Sequence, residues 1–177
     1  MAGTIALQTP RLMLRRHVPE DAGLLYRNFG TDAAMVRYSG WNPYATPEQA
    51  RQTVRRFIDS YADPHFYGWA IERGARMIGT IGAYDYDTEK HQIEVGFSIE
   101  RASWGRGYAA EALRAVLEYL TVQEGITRVT AWCASDNVAS GRTLEKAGMR
   151  LSGIDAGGLE VEGQRYDRLD YVYDAIQ

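Results

Sequence analysis

The sequence predicts an α/β (α+β) fold: a mixed, mostly antiparallel central sheet of about seven strands flanked by about four helices. Three observations predict it. Segments of strand-like alternation are interleaved with segments of helical spacing that carry their own start and stop signals. Consecutive strands in the first half are joined by short turn-like links, which gives an antiparallel meander. The strand–helix–strand–helix–strand order from Ile93 to Ile154 leaves one strand pair free to run parallel and to splay, opening a crevice at its carboxyl end.

Arg11–Arg16 (RLMLRR) alternates apolar and basic residues and reads as the first strand. Pro19, Glu20 and Asp21 open a helix that Gly30 closes. The segment YSGWNPYAT then reads as an aromatic-rich loop, suited equally to binding and to buried packing. Pro47 and Glu48 start a second helix after Thr46, with Val54, Phe57, Ile58 and Tyr61 at helical spacing. Phe66–Glu72, Met77–Tyr84 and His91–Glu100 are the meander, with Asp85–Lys90 as a polar turn. Tyr108–Val122 is a helix, Arg128–Ala134 a strand, and Asn137–Ala147 a helix ended by Gly148 at the favoured cap position. Met149–Ile154 and Tyr166–Tyr173 close the chain as strands. The glycine-rich link DAGGLEVEGQR between them is expected to be a mobile loop.

The 177 residues fit a single domain spanning 1–177 with ample length to bury a core. A net charge of −3 lacks the broad basic footprint of a protein that grips nucleic acid through phosphates, so no nucleic-acid partner is expected. Cys133, the only cysteine, excludes an intrachain disulfide framework and reads as a small buried strand residue rather than a nucleophile. His17, His65 and His91 show no ligand-like spacing, and no metal is expected. The start MAGTIALQTP has no basic region followed by a long apolar run, and no stretch is long enough to span a bilayer. The expectation is a cytoplasmic protein with no membrane partner.

The stretch Ile93–Leu120 organises the rest. Ile93, Val95, Phe97 and Ile99 fall on one strand face, which is core, while Glu94, Gly96, Ser98 and Glu100 fall on the other. Periodicity alone favours a solvent-facing Glu94. The strand runs into Arg101-Ala102-Ser103-Trp104-Gly105-Arg106-Gly107-Tyr108, where two glycines allow close backbone approach and two arginines add positive charge. Behind it the helix carries Ala109, Leu113, Val116, Leu117 and Leu120 as an apolar stripe. Free backbone N–H groups at such a turn, with a helix N-terminus behind them, suit an anion. A dinucleotide fingerprint would need a third glycine where Ala110 stands, in a different strand context, and a P-loop would need Gly-Lys-Ser/Thr, which is missing.

The turn is similar to the acetyl-coenzyme A turn of the GNAT acetyltransferases, Gln/Arg-x-x-Gly-x-Gly/Ala. With TPRLMLRRHVPEDAGLLY, E-V-G-F, W-G-R-G-Y-A-A-E-A-L and D-N-V-A-S-G-R-T-L-E-K-A-G-M in the expected order, the chain resembles the branch that contains the ribosomal-protein N-terminal acetyltransferases. One departure is that the consensus Gln/Arg position falls on Ala102, with Arg101 one residue early.

The resemblance implies the GNAT fold, with the parallel pair splayed, and acetyl-CoA as co-substrate without a metal. It places the pyrophosphate on the segment Ala102, Ser103, Trp104, Gly105, Arg106, Gly107 and on the helix start at Tyr108. The pantetheine arm is implied along Val95, Phe97 and Ile99 and against Asn137, with Ser140 near the thioester sulfur. Glu94 is then the candidate base for an amine of pKa about 10, and Ser140 the candidate acid for a thiolate of pKa about 8.5. A backbone N–H around Val95–Phe97 is the candidate oxyanion donor. The expected function is an acetyl-coenzyme A dependent N-acetyltransferase acting on a small-molecule or peptide amine. The alternative is a non-catalytic acyl-coenzyme A binding or sensor module. Tyr38, Trp41, Tyr44, Tyr67, Trp69, Tyr84 and Tyr86 lie in segments that approach the acceptor in this family, and each also fits a core position. Exposed strand edges near the C-terminus and the aromatic loop fit a homodimer.

Overall fold

The computed structural model describes residues 1–175. Its strands are β1 (Leu7–Gln8), β2 (Met13–Arg15), β3 (Tyr67–Arg73), β4 (Arg76–Asp87), β5 (Gln92–Ile99), β6 (Arg128–Ala134), β7 (Arg150–Val161) and β8 (Gln164–Asp174). The helices are α1 (Asp21–Leu25), α2 (Ala33–Val36), α3 (Pro47–Ser60), α4 (Tyr108–Glu118) and α5 (Val138–Lys146). All eight strands form one sheet in the order β1-β2-β3-β4-β5-β6-β8-β7. Every neighbouring pair is antiparallel except β5–β6, which is parallel.

The local signals act as the sequence suggests. Thr46 caps α3 by accepting from the Gln49 amide at 3.1 Å, with Pro47 in the first turn. Asn137 caps α5 in the same way, accepting from the Ser140 amide at 3.3 Å. The helix that begins at Asp21 loosens into a π-helical turn at Tyr26–Gly30, and α4 does so at Tyr119–Gln123. Within the expected YSGWNPYAT region the backbone forms turns, preceded by the short helix α2, whose cap Asp32 accepts from the Ala34 amide.

Two elements depart from expectation. The strand expected over Arg11–Arg16 shortens to Met13–Arg15, and the residues before it add the two-residue β1, making eight strands. The segment expected as a mobile loop is a strand ladder. Leu159 pairs with Tyr166, Glu160 with Arg165 and Val161 with Gln164, around a two-residue turn at Glu162-Gly163. Both turn residues have positive φ, 51° and 79°, the geometry that a tight hairpin requires. The glycine pair upstream falls in a register shift between Asp155 and Leu159 instead of breaking the strand. The ladder holds because Val161 and Tyr166 are buried against Ala134.

One face of the sheet is covered by α4. Leu113, Val116, Leu117 and Leu120 are buried with Tyr67, Trp69, Ile93, Val95 and Val129. On the other face α1 and α3 cover only one side of the sheet, packing Leu25, Phe29, Ala50 and Val54 against Ala70 and Met77. Among the described residues, no helix is long and apolar enough to cross a membrane.

Truncating Leu113 to Ala is expected to cost about 2–5 kcal/mol in chemical denaturation, because the residue is fully buried in the α4 stripe. Val122→Ala, at an exposed position, is expected to stay within about 0.5 kcal/mol of the parent.

Candidate functional site

The site begins where β5 and β6 part. They pair at Gln92↔Arg128, Ile93↔Val129 and Glu94↔Thr130, and no pair follows. Beyond that point β5 continues along β4 to Gly79↔Ile99, and β6 continues along β8 to Ala134↔Arg168. The opening between them leads into a cleft of about 800 Å³. Val95, Phe97 and Ile99 line one wall, and Ala131 and Ala134 the other. The turn and start of α4 contribute Gly105, Gly107 and Tyr108, and α5 contributes Ser140 with its cap Asn137.

At the α4 end the backbone is arranged for an anion. Gly105 and Gly107 have φ of 73° and 78°, which strain any residue with a Cβ. Gly107 is the helix cap and offers no side chain to the first-turn amides. The Ser103 and Trp104 amides are already engaged by the Glu100 and Arg101 carbonyls. Among the described residues, no backbone carbonyl takes the amides of Gly105, Arg106, Gly107 or Tyr108. The N-terminal segment braces this turn from outside. Arg11 donates to the Arg106 carbonyl at 3.0 Å and pairs with Glu111 of α4 at 2.6 Å, where Thr9 also donates.

Glu100 is the main support under the turn. It is 2% exposed and receives both Arg76 Nη groups at 2.5 and 2.7 Å, Asn28 Nδ2 at 2.8 Å and the Ser103 hydroxyl at 2.9 Å. Burial alone would raise its carboxyl, yet Arg76, Ser103 and Asn28 together hold it below the usual carboxylate range. Arg101 pairs with Asp32 at the start of α2, so its charge is directed at the neighbouring helix.

At the other end, register places Tyr84, Glu94, Thr130, Trp132, Ala134, Arg168 and Asp170 on one face of the sheet, because directly paired residues point the same way. Neither α1 nor α3 packs over them. Trp132 Nε1 donates to Glu94 Oε1 at 3.0 Å. The Tyr84 hydroxyl hangs over Gly96, where a Cβ would come within 2.7 Å of it. Burial, then the charge of Glu94 and a hydrogen bond to it, push the Tyr84 phenol above its ordinary range. Glu94 is therefore a half-buried, oriented carboxylate behind two residues that line the cleft, and not the solvent-facing group that periodicity favours. The segment from Ala34 to Ser39 roofs this end, with Tyr38 packed edge-on against Tyr166 at 5.5 Å.

Of the residues named from the sequence, Val95, Phe97, Ile99, Ser103, Trp104, Gly105, Gly107, Tyr108, Asn137 and Ser140 line one continuous cleft. Ala102, Arg106 and Glu94 are not among the lining residues, and Glu94 meets the cleft through the hydrogen bond it accepts from Trp132. Cys133 is buried, and that burial, with the charge of Glu145, pushes its thiol up to about 11. Of the seven aromatics, Tyr38 and Tyr84 line the cleft. Tyr67 and Trp69 are core against Tyr119, Tyr44 packs on Phe29, and Tyr86 stacks on His65. Sequence reasoning missed Glu100, Trp132 and the roof: of the partners of Glu100 only Ser103 is local, while Arg76 and Asn28 lie 24 and 72 positions away.

A family model described as an acetyltransferase (GNAT) domain matches residues 11–150. YoaA, an uncharacterized N-acetyltransferase of Bacillus subtilis (strain 168), is 31% identical over 163 residues, covering 91% of this chain and 92% of that protein. Two solved structures share the fold. RimL, a ribosomal alpha-N-protein acetyltransferase in complex with coenzyme A, aligns with a TM-score of 0.86 at 18% identity over 96% of this chain and 98% of its own. The microcin C7 self-immunity acetyltransferase MccE, in complex with acetyl-CoA and AMP, aligns with a TM-score of 0.82 at 17% identity over 94% of this chain and 93% of its own.

Glu100→Gln is expected to lower stability near neutral pH by about 2 kcal/mol, since it removes a charge that several donors share. A carboxyl whose folded pKa is depressed stabilises above its unfolded value, near 4.5, and loses that contribution as pH falls through the folded value. The difference in melting midpoint between parent and variant should therefore shrink below about pH 4. A difference that persists unchanged there would contradict the assignment.

Proposed function

The chain belongs to the GNAT acetyltransferase family, and from that premise we propose that it is an acetyl-coenzyme A dependent N-acetyltransferase acting on a primary amine, at a peptide N-terminus or on a small molecule. One observation carries the reading: a single cleft runs from unengaged amides at a glycine turn to the parting of β5 and β6, where its lining residue Trp132 donates to the Glu94 carboxylate.

The turn fits the coenzyme on its own chemistry. The Gly105, Arg106, Gly107 and Tyr108 amides, with the α4 N-terminus behind them, would hold the pyrophosphate. Ala102 brings no side chain to this task, and the Ser103 and Trp104 amides are already engaged. The inner edge of β5 past Glu94 has no strand partner, and apart from the Ile99 carbonyl, which accepts from Trp104 Nε1 at 2.6 Å, it would offer backbone groups to the pantetheine arm. Asn137 uses its Oδ1 to cap α5 and keeps its NH₂ for the same ligand. Acetyl-coenzyme A, when bound, supplies an acetyl thioester.

The residues then divide the proton work. Glu94, held by Trp132 and Tyr84, takes the proton from the incoming amine as the N–C bond forms. A backbone N–H in the Val95–Phe97 stretch donates to the acetyl oxygen as charge builds on it. The C–S bond breaks, and the Ser140 hydroxyl, which lines the cleft, gives the departing sulfur its proton and is reloaded from solvent. The products are the acetamide and the free thiol. Cys133 has no part, since its thiol is buried and protonated. The open edge strand β7, with exposed Leu151 and Ile154, is where a second copy would pair in a homodimer.

Millimolar acetyl-coenzyme A is expected to raise the melting midpoint, because a ligand that binds only the native state stabilises it; no rise would end the coenzyme reading. Glu94→Gln is expected to lower kcat/KM by about 10²-fold or more and to change the shape of its pH profile. An unchanged profile would remove Glu94 from the role of base. Ser140→Ala should cost less, within about tenfold, since a thiolate of pKa about 8.5 leaves readily.

A further inference from the structure

The acceptor end of the cleft carries charge in a pattern that the acetyl-transfer reading leaves unused. Aromatic rings there would ordinarily be offered to a cationic acceptor. Two of these ring faces are already taken. Arg37 lies over Tyr38, 5.1 Å from the ring centroid, and Arg168 lies over Trp132, also at 5.1 Å. Both rings line the cleft, and so does Arg37 itself.

The two guanidiniums differ in how far they are satisfied. Arg168 gives its Nε to Asp170 at 2.8 Å, while its two Nη groups have no partner among the described residues. Arg37 has no carboxylate partner among the described residues. Arg142 of α5 also lines the cleft without a carboxylate partner among the described residues, while Arg37 belongs to the roof segment, over Tyr38. The register sets the spacing. Arg168 pairs with Ala134, one same-face step beyond Trp132, which is about 7 Å along the strand. Trp132 in turn donates to Glu94. Glu94 and the Arg168 guanidinium therefore lie within one small molecule's length of each other on the same sheet face, and Arg37 lines the cleft from the roof segment.

Resting on the acetyl-transfer reading, we propose that the preferred acceptor is an amine that also carries an anionic group, a carboxylate or a phosphate. Its ammonium meets Glu94, and its anion meets Arg37 and the free Nη groups of Arg168, whose forked donors match such oxygens. A polyamine fits poorly, because its second ammonium would face two guanidiniums. Tyr38 bearing on Tyr166 fixes the roof, and with it the place of Arg37.

The test follows free-thiol release with acetyl-coenzyme A on matched acceptors. One pair is β-alanine and its amide, a second is phosphoethanolamine and ethanolamine, and spermidine is the polyamine. The expected result is a kcat/KM at least tenfold higher for an anionic member than for its neutral counterpart, the better pair telling carboxylate from phosphate. That ratio should fall at least fivefold in Arg37→Gln and in Arg168→Gln, and Arg37→Lys should restore part of it. A ratio near one, a preference for spermidine, a ratio indifferent to both substitutions, or no turnover on any acceptor while acetyl-coenzyme A still raises the melting midpoint would each overturn the proposal. Absence of the coenzyme-induced rise is the separate failure of the underlying reading.

Discussion

The parting of β5 from β6 is the constraint on which the rest of the structure depends. Each strand keeps its outer neighbour over its full length, β5 on β4 and β6 on β8, so the opening sacrifices only the bonds between the two. At about 1 kcal/mol net per backbone bond, that loss is small beside the core that α4 seals on the adjoining face. The backbone groups released are those a ligand lying in the gap would need. The opening thus requires rigid flanks, and the antiparallel ladders on either side provide them.

A split sheet positions nothing unless the turn at its mouth is fixed. Gly105 and Gly107 adopt backbone angles that side chains disfavour, and a turn of this kind holds its shape only when its surroundings determine it. Here Glu100 does this from below by joining β4, the π-helical turn after α1 and Ser103 in one buried network. Arg11 and Glu111 do it from outside. The π-helical turn matters because it carries Asn28, the donor that reaches Glu100. The ion pair between Arg101 and Asp32 extends the same support to α2. The coenzyme end and the roof of the acceptor end are therefore parts of one mechanical unit.

The two ends of the cleft also differ in electrostatic character. The α4 end offers neutral amides and a helix dipole, which suit a phosphate. The opposite end sets one carboxylate against two guanidiniums stacked on aromatic rings. In the proposed reaction each of the two substrates would meet the end that complements it.

What the sequence by itself determined was local: the alternating strand through Ile93–Ile99, the two-glycine turn, the amphipathic stripe of α4 and the capped start of α5 are each written within about a dozen consecutive residues. Those features were enough to indicate the fold and the turn where the coenzyme is proposed to sit. The link after Ile154 was misread because its glycines serve a bulge and a hairpin turn, which only the partner strand reveals. The surroundings of Glu94 were equally hidden, since Trp132 lies 38 positions away and arrives only through a parallel pairing. The strand and turn around Ile93–Gly107 suggested the chemistry, while the tertiary structure decided what surrounds each face of that strand. The physical reason is that period and capping act between near neighbours, whereas orientation of a carboxylate, burial of Glu100 and the stacking of Arg37 and Arg168 depend on segments that meet only when the chain has folded.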